Sequence, residues 1–149
     1  MDGHELALLI DERWSTLREL KEISARQMEA IRGCRMSELM RLLSDKQLPL
    51  QRLTALAEKT RAAQGDEPNQ RRWESEAQRQ RCRRRQEECE QMHLELLAIE
   101  AECESVLQQS RNDLQQRLQR VDAGRAAANG YARSEHAVTS GERLDLSSS

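Results

Sequence analysis

Three of the four cysteines could act together chemically, because they recur at helical intervals. Cys82, Cys89 and Cys103 are separated by seven and fourteen residues and so share one heptad position. A zinc site needs ligands two to four residues apart, whereas residues one heptad apart lie about 10 Å apart along a helix. His93 lies off this stripe. We therefore predict that these cysteines are core residues and that the chain holds no metal or other cofactor, with metal or redox chemistry as the open alternative.

The strongest basic run, RQRCRRR, spans residues 79–85. Arginine pairs well with phosphate, but no aromatic residues are interleaved with the run for base stacking. A stretch with only acidic charges follows at once: Glu87, Glu88, Glu90, Glu95, Glu100, Glu102 and Glu104. Opposite charge blocks along one helix favour solvated faces and partner selection over nucleic-acid binding. With no catalytic triad, phosphate loop or metal motif in the sequence, we predict a binding protein with no catalytic residues.

The composition indicates which elements must position these residues. The chain has 149 residues, of which 2% are aromatic and 34% charged, and it lacks Phe. Two prolines and six glycines leave little material for the turns of a sheet. Leu, Glu, Arg, Gln and Ala, which are strong helix formers, fill most of the chain. The sequence therefore predicts a single, almost entirely helical domain.

The first residues, MDGHELALLI, lack the basic segment and the long apolar run of a signal peptide. No stretch approaches the ~20 apolar residues that a membrane span requires. Without an export signal, four cysteines are most simply reduced thiols. We therefore expect a cytoplasmic protein with no membrane span.

Apolar spacing predicts a first helix from about Glu5 to Ile31, capped at Gly33. The apolar stripe of this helix consists of Leu6, Ile10, Leu17, Leu20 and Ile31. A second helix carries a heptad seam with alternating spacings of three and four. Its members are Met36, Leu39, Leu43, Lys46, Leu50, Leu53 and Ala57. The Lys46 stem can lie along apolar surface while its ammonium group reaches water. Pro49 should kink or split the helix near Gln47, and a kink fits better because the stripe continues beyond it.

The segment QGDEPNQ predicts the next boundary, with Asp66 as the cap of a third helix and Pro68 in its first turn. This helix should continue to about Ala128. Its seam is Cys89, Met92, Leu96, Ile99, Cys103 and Val106. We predict a helical bundle over residues 1–130 and a disordered tail over residues 131–149. The predicted fold is thus all-α, an antiparallel three-helix bundle or coiled coil with one long C-terminal helix.

The third helix is too long for its neighbours. At ~1.5 Å per residue it could span roughly 90 Å, whereas the first two helices reach only about 40 Å each. Residues up to about Leu97 can lie beside the second helix, and the remainder has no partner within the chain. That remainder still carries an apolar stripe, which is a candidate binding surface.

The segment AIRGCRMSELMRLLSDKQLPLQRLTAL resembles the leucine- and lysine-containing motif of FlgN-type flagellar export chaperones. The matching positions are Leu39, Leu42, Leu43, Lys46, Leu50 and Leu53. The segment LALLIDERWSTLRELKEI is similar to the first helix of that family, and SRNDLQQRLQRVDAGRAAANGY to its terminal helix. The resemblance covers about residues 5–131. Pro49 and the arginine-rich start of the third helix depart from the family pattern.

The resemblance implies a cytoplasmic chaperone that keeps hook-associated flagellar proteins competent for export and that can contact the export apparatus. The C-terminal helix would bind the terminal helices of the hook-associated protein, as amphipathic helices often bind partner helices. We predict that the partner-binding residues are Leu107, Leu114, Leu118, Val121 and Tyr131. The open alternative is a self-associating coiled-coil scaffold, a homo-oligomer that buries the same stripe permanently.

Overall fold

The computed structural model describes the backbone of residues 1–63 and 71–148 and the side chains as far as Ser134. These described residues form four helices: α1 (Gly3–Arg32), α2 (Met36–Asp45), α3 (Gln47–Ala63) and α4 (Glu76–Ser148). No strand occurs in the described residues. The prediction of an all-α fold with one long C-terminal helix is confirmed. The predicted boundary at Asp66 and Pro68 lies outside the described residues.

The helices of the first 106 residues run up, down and up. The α1 carbonyl of Ile10 lies 3.7 Å from Cys89 Sγ of α4, and Arg32 at the end of α1 lies 2.9 Å from Glu102. Contacts thus advance in the same direction along α1 and α4, which are parallel. Arg52 of α3 instead reaches back to Glu19 of α1, at 3.6 Å. The pair α2 and α3 is therefore antiparallel to α1, as short connections in a bundle require.

The core of this bundle is formed mainly by α1 and α4. Its central cluster consists of Ile10, Leu17, Leu20, Cys82, Cys89 and Leu96. Half-buried side chains that pack against the cluster are Leu6, Ala7, Trp14, Leu53, Trp73 and Met92. These residues include most of the predicted first-helix stripe and half of the predicted third-helix seam. Those two predictions are confirmed, and the three predicted core cysteines are buried.

A capping box begins α1. The Glu5 amide donates to Asp2 Oδ1 at 2.8 Å, and the Asp2 amide donates to Glu5 Oε2 at 3.1 Å. Two backbone donors of the first turn are thereby satisfied. Gly3 is required by close packing, since a Cβ there would lie 2.5 Å from the Trp73 ring. Its amide also donates to the Arg72 carbonyl at 2.7 Å, which ties α1 to the segment before α4.

The end of α1 has a Schellman motif. The Arg35 amide donates to the Ala30 carbonyl at 2.9 Å, and the Cys34 amide donates to the Ile31 carbonyl at 3.2 Å. Gly33 occupies the cap position as predicted, but its φ of −85° is ordinary. Cys34 instead has φ of 54°, the left-handed conformation that glycine usually adopts in this motif. The sequence prediction placed glycine correctly and missed the strained neighbour.

Pro49 splits the predicted second helix at Lys46, between α2 and α3. The interruption is small because Lys46 keeps helical torsion angles, with φ of −74° and ψ of −21°. The Lys46 amide still donates to Leu42, and the Leu50 amide donates to the Lys46 carbonyl. Side chains therefore follow one continuous helical spacing across the junction. The predicted preference for a kink over a complete break is close to what the structure shows.

The predicted seam of α2 and α3 is correct for three of its seven residues: Leu39 and Lys46 are buried, and Leu53 packs against the core. Leu39, Leu42 and Leu56 point into the bundle, whereas Met36, Leu43, Leu50 and Ala57 of the predicted seam are exposed. Adjacent leucines at positions 42 and 43 offer two apolar stripes about 100° apart, and spacing alone cannot choose between them. Lys46 decides the orientation, because its ammonium group is bound inside the bundle.

Lys46 is buried, contrary to the prediction that its ammonium group reaches water. Only 8% of its side chain is exposed. Nζ donates to Gln27 Oε1 of α1 at 2.9 Å and also to Glu100 Oε1 of α4. Ser24 Oγ donates to the same Glu100 oxygen at 2.7 Å. A buried ammonium group is stable only when it is paired in this way, so these four side chains tie the α2–α3 junction to both long helices.

The helix α4 begins at Glu76 and not at Pro68, because a different cap starts it. The Gln78 amide donates to Ser75 Oγ at 3.1 Å, and Gln78 Oε1 accepts from the Glu74 amide at 2.9 Å. Residues 71–75 are described and are not helical. The sequence SEAQ, residues 75–78, has the spacing of a capping box and could have revealed this start.

At its other end, α4 continues to Ser148 instead of ending near Ala128. The backbone is helical as far as Ser148, and the predicted disorder of residues 131–149 stays a prediction. No proline follows Pro68, and an interior glycine weakens a helix by about 1 kcal/mol without breaking it. Gly130 is such a residue. In the described residues, no helix has the length and the apolar character that crossing a membrane demands.

Candidate partner-binding surface

Every residue predicted to bind a partner lies on α4, within the compact unit Leu107–Ser149. Leu107 is half-buried. Leu114, Leu118 and Val121 are 59%, 56% and 51% exposed, and Tyr131 is 70% exposed. All side chains from Gln108 to Ser134 are exposed. The structure thus leaves the predicted site open to solvent, apart from Leu107.

Four of the five predicted residues share one helix face. Leu107, Leu114, Leu118 and Val121 follow spacings of seven, four and three, and so lie within about 60° of one another around the axis. We call these four residues the C-terminal stripe. Tyr131 lies about 110° around the helix from the centre of this stripe. The helix therefore separates Tyr131 from the other predicted residues.

The local sequence explains why this segment is helical and what it exposes. Gln, Arg, Leu and Ala predominate between Leu107 and Ala128, and all four have high helix propensity. The Gln108 side chain donates to Asn112 Oδ1 at 3.2 Å, which is a helical i,i+4 pair. A Cβ added at Gly124 or Gly130 would have no atom within 4 Å. Glycine is therefore not required at either position by packing.

Arginines border the C-terminal stripe. Arg111 and Arg125 each lie four residues beyond a stripe residue, and Arg117 lies between Leu114 and Val121 at spacings of three and four. Residues three or four apart are neighbours on a helix surface. Asp122, four residues beyond Leu118, is the acidic residue at the same border. The surface is thus an apolar stripe with a mainly basic border.

The packed part of α4 extends further than the sequence predicts. Packing beside the second helix was expected to end near Leu97, but Cys103 is 1% exposed. Arg32 contacts Glu102, and Glu100 belongs to the buried Lys46 cluster. Because α4 starts at Glu76 and not at Pro68, each of its residues lies nearer to the first turn of the helix than predicted. More of α4 can therefore lie beside the other helices. The first exposed apolar residue of the predicted site is consequently Leu114.

A second exposed apolar surface was missed by the sequence analysis. Met36, Met40, Leu43 and Leu50 are 52%, 68%, 40% and 43% exposed, and their spacings of four, three and seven place them on one face of α2 and α3. We call these four residues the α2–α3 stripe. Three of them belonged to the predicted core seam. Their spacing correctly predicted one continuous apolar face, but this face is exposed to solvent.

The arginine run offers no uniformly basic surface. A cavity of about 580 Å³ is lined by Arg81, Arg84 and Arg85 but also by Asp11, Glu74 and Glu88. Arg85 lies 3.4 Å from Asp11 and 3.3 Å from Glu88, and its guanidinium carbon lies 4.1 Å from the centroid of the Trp14 ring. These contacts hold the Arg85 guanidinium group against other residues of the bundle. The arrangement favours an internal ion-pair and cation–π role for it over phosphate binding.

The cysteines lie in the core without converging. Burial raises the pKa of the Cys82, Cys89 and Cys103 thiols, which disfavours the thiolate that binds metal or reacts. Cys34 is exposed. Among the described side chains, no three His, Cys, Asp or Glu residues come together in a way that could hold a metal ion. The described geometry thus gives the cysteines a packing role.

No protein-family model, curated protein or solved structure matches this chain.

Proposed function

We propose that this chain is a cytoplasmic export chaperone of the FlgN type, which binds a terminal helix of a hook-associated flagellar protein along the C-terminal stripe. The observation that carries the proposal is the exposure of Leu114, Leu118 and Val121 on one face. Apolar rows of this kind usually mark interaction sites. An amphipathic partner helix would bury them through anchors spaced three, four and seven residues apart.

The border of the stripe defines the chemistry of that partner. Between Leu107 and Ser134 the chain carries five arginines and only two aspartates. Arg111, Arg117 and Arg125 adjoin the stripe, so a partner helix with acidic residues beside its apolar face would form ion pairs at the rim. Such pairs raise the association rate and select the partner more than they add affinity. Binding should therefore weaken as salt concentration rises.

The C-terminal stripe can be tested by replacing Leu114 and Leu118 with Asp. Binding of a peptide from the terminal helix of a hook-associated protein should fall by at least about 100-fold, since two buried anchors would become charged. The melting temperature should change little, because both side chains are already exposed. Calorimetric titration and thermal melting on the same protein measure both quantities.

The matched control places the same charges on another face of the same segment. Gln115→Asp and Gln119→Asp lie about 100° around the helix from the replaced leucines. This control should bind the peptide nearly as well as the unaltered chain. Unchanged binding by the leucine variant would exclude the assigned surface, whereas loss of folding would place the stripe in a core.

The alternative function is a self-associating scaffold that buries the C-terminal stripe against other copies. Sedimentation of the leucine variant separates the two functions. If the chain is a scaffold, the leucine variant should sediment as a smaller assembly than the unaltered chain. If it is an export chaperone, the variant should keep its assembly mass and lose only peptide binding. A coexpressed hook-associated protein, copurified with the unaltered chain and absent from the variant, would support the chaperone.

A further inference from the structure

Between Met36 and Ala57, the outward face of α2 and α3 carries no charged residue; the exposed Glu58 and Arg61 lie beyond this stretch. Around the α2–α3 stripe, the exposed residues Gln47, Thr54 and Ala57 continue the same face without adding a charge. The exposed charged residues between Met36 and Ala57 lie on the opposite side, about 140–200° around the helix. They are Arg41, Asp45 and Arg52, and the half-buried Glu38 lies on the same side. In a chain with 34% charged residues, an exposed face of this length without charge needs an explanation.

This composition is typical of the centre of a protein interface. Interface centres are depleted of charged residues and enriched in methionine, which adapts its shape to a partner. The stripe carries two methionines, and both are more than half exposed. Because the Lys46 carbonyl accepts from the Leu50 amide, helical spacing continues through the junction, and the face remains continuous from Met36 to Ala57. Its length is roughly 33 Å.

The order of residues along the face indicates that its partner is a second copy. In a twofold interface, residue i contacts residue j while j contacts i. If two such faces cross antiparallel about Gln47, Leu43 meets Leu50, Met40 meets Thr54, and Met36 meets Ala57. Gln47 then meets Gln47 of the other copy, and two side-chain amides can exchange hydrogen bonds. Every pair is apolar or neutral, so the arrangement brings no like charges together.

We propose that the α2–α3 stripe is a self-association surface, through which two copies of the chain form an antiparallel, twofold-symmetric dimer. This surface shares no residue with the C-terminal stripe, so dimerisation does not use the residues of the proposed chaperone site. A single helix-pair contact is smaller than the ~800 Å² per partner of standard interfaces, which predicts a dissociation constant in the micromolar range, about 1–100 μM.

Charge substitution tests the surface. Leu43→Glu with Leu50→Glu should make the chain monomeric at about 100 μM in sedimentation equilibrium, where the unaltered chain should show an average mass about 1.5–1.9 times that of its monomer. Leu94→Glu is the matched control, since Leu94 is 62% exposed on α4 and outside the stripe. It should leave the dimer unchanged. A monomeric unaltered chain, or a dimer that survives the double substitution, would overturn the proposal.

A complementary pair of variants guards against misfolding as the cause of dimer loss. Leu43→Lys with Leu50→Lys should also be monomeric, but an equimolar mixture with the glutamate variant should recover the dimer mass. Antiparallel crossing places each glutamate opposite a lysine. Circular dichroism should show the same helicity for all variants. Failure of the mixture to associate, with both variants folded, would exclude the antiparallel pairing.

Disulfide trapping tests the symmetry axis directly. In a Cys34→Ser background, Gln47→Cys should give a covalent dimer on mild oxidation, since the two residues meet at the axis. Arg41→Cys, exposed on the opposite side, should stay monomeric under the same conditions. The reverse result would place another face in the interface. If instead a hook-associated peptide protects Gln47→Cys from labelling and no covalent dimer forms, the stripe binds a foreign helix and self-association is rejected.

Discussion

Among the described residues, Cys34 is the one residue other than glycine with a positive φ. Its φ of 54° lies in the left-handed region, which costs a residue with a Cβ roughly 1–2 kcal/mol. Cys34→Gly should therefore stabilise the chain by about 0.5–1 kcal/mol, despite the greater freedom of glycine in the unfolded state. Urea unfolding monitored by circular dichroism measures the change. Ser105→Gly, on the exposed side of α4, is the opposite control and should destabilise by about 1 kcal/mol.

The four thiols should differ sharply in reactivity. Cys34 is exposed, whereas Cys82, Cys89 and Cys103 are buried and have raised pKa values, chiefly because burial disfavours the thiolate. At neutral pH a thiol reagent should label one cysteine quickly and three only after unfolding. Mass spectrometry of the labelled chain identifies the site. Rapid labelling of any core cysteine in the folded chain would contradict the packing role.

The same pKa shifts give a direction for alkaline stability. A thiol whose pKa is raised by folding holds its proton in the folded state at a pH where the unfolded chain has lost it. Its contribution to stability is complete below the ordinary thiol pKa of about 8.5 and is lost as pH rises through the higher folded value. The free energy of unfolding should accordingly decline above about pH 8.5. Cys89→Ala should make this decline shallower.

At the scale of elements, the Lys46 cluster fixes α2 and α3 against α1 and α4. Lys46→Met would leave the buried Gln27 oxygen without its donor and Glu100 without its cation. Loss of such partners should cost about 1–3 kcal/mol. The comparison is Arg32→Met, which breaks an ion pair with Glu102 that also joins α4 but has both side chains more than half exposed. That substitution should cost at most about 0.5 kcal/mol. Equal losses in urea unfolding would show that the cluster has no special role.

Sequence periodicity was sufficient for α1 and for the packed part of α4. There, residues such as Leu17 and Cys89 stand on the only long apolar stripe of their helix, so the spacing identifies the inner face. In α2 and α3, by contrast, leucines on two stripes compete. The choice depends on Lys46 finding Gln27 and Glu100, which lie 19 and 54 residues away in the chain. No local pattern contains that information.

The candidate site was predictable for a related reason. The C-terminal stripe is a property of one helix, so the spacing of Leu114, Leu118 and Val121 defines it without knowledge of any neighbour. Tyr131 was assigned through the family resemblance, and helical geometry separates it from the stripe. The start of α4 at Glu76 was missed because Asp66 and Pro68 form a stronger local signal than Ser75 and Gln78. Two adequate caps in one segment cannot be ranked by propensity alone.

At the scale of the whole molecule, the described part of α4 consists of a segment packed in the bundle and a segment with exposed side chains. Cys89, Leu96 and Cys103 of α4 are buried within the unit Met1–Val106. From Gln108 to Ser134 every side chain is exposed, and the segment contains two glycines. An isolated helix in water is marginally stable without an apolar face to pack. The two parts of α4 should therefore differ in local stability although one helix contains both.

Amide hydrogen exchange can measure that difference and the effect of a partner. Amides between Cys89 and Cys103 should exchange at least about 100-fold more slowly than those between Gln108 and Ser134, because only the former need the bundle to open. Adding a partner peptide with an apolar face and acidic flanks should slow exchange in the second segment and leave the first unchanged. Leu114→Asp with Leu118→Asp should abolish that added protection. Equal protection of both segments without a partner would mean that residues 108–134 are packed in solution, and the C-terminal stripe could not then be a free binding surface.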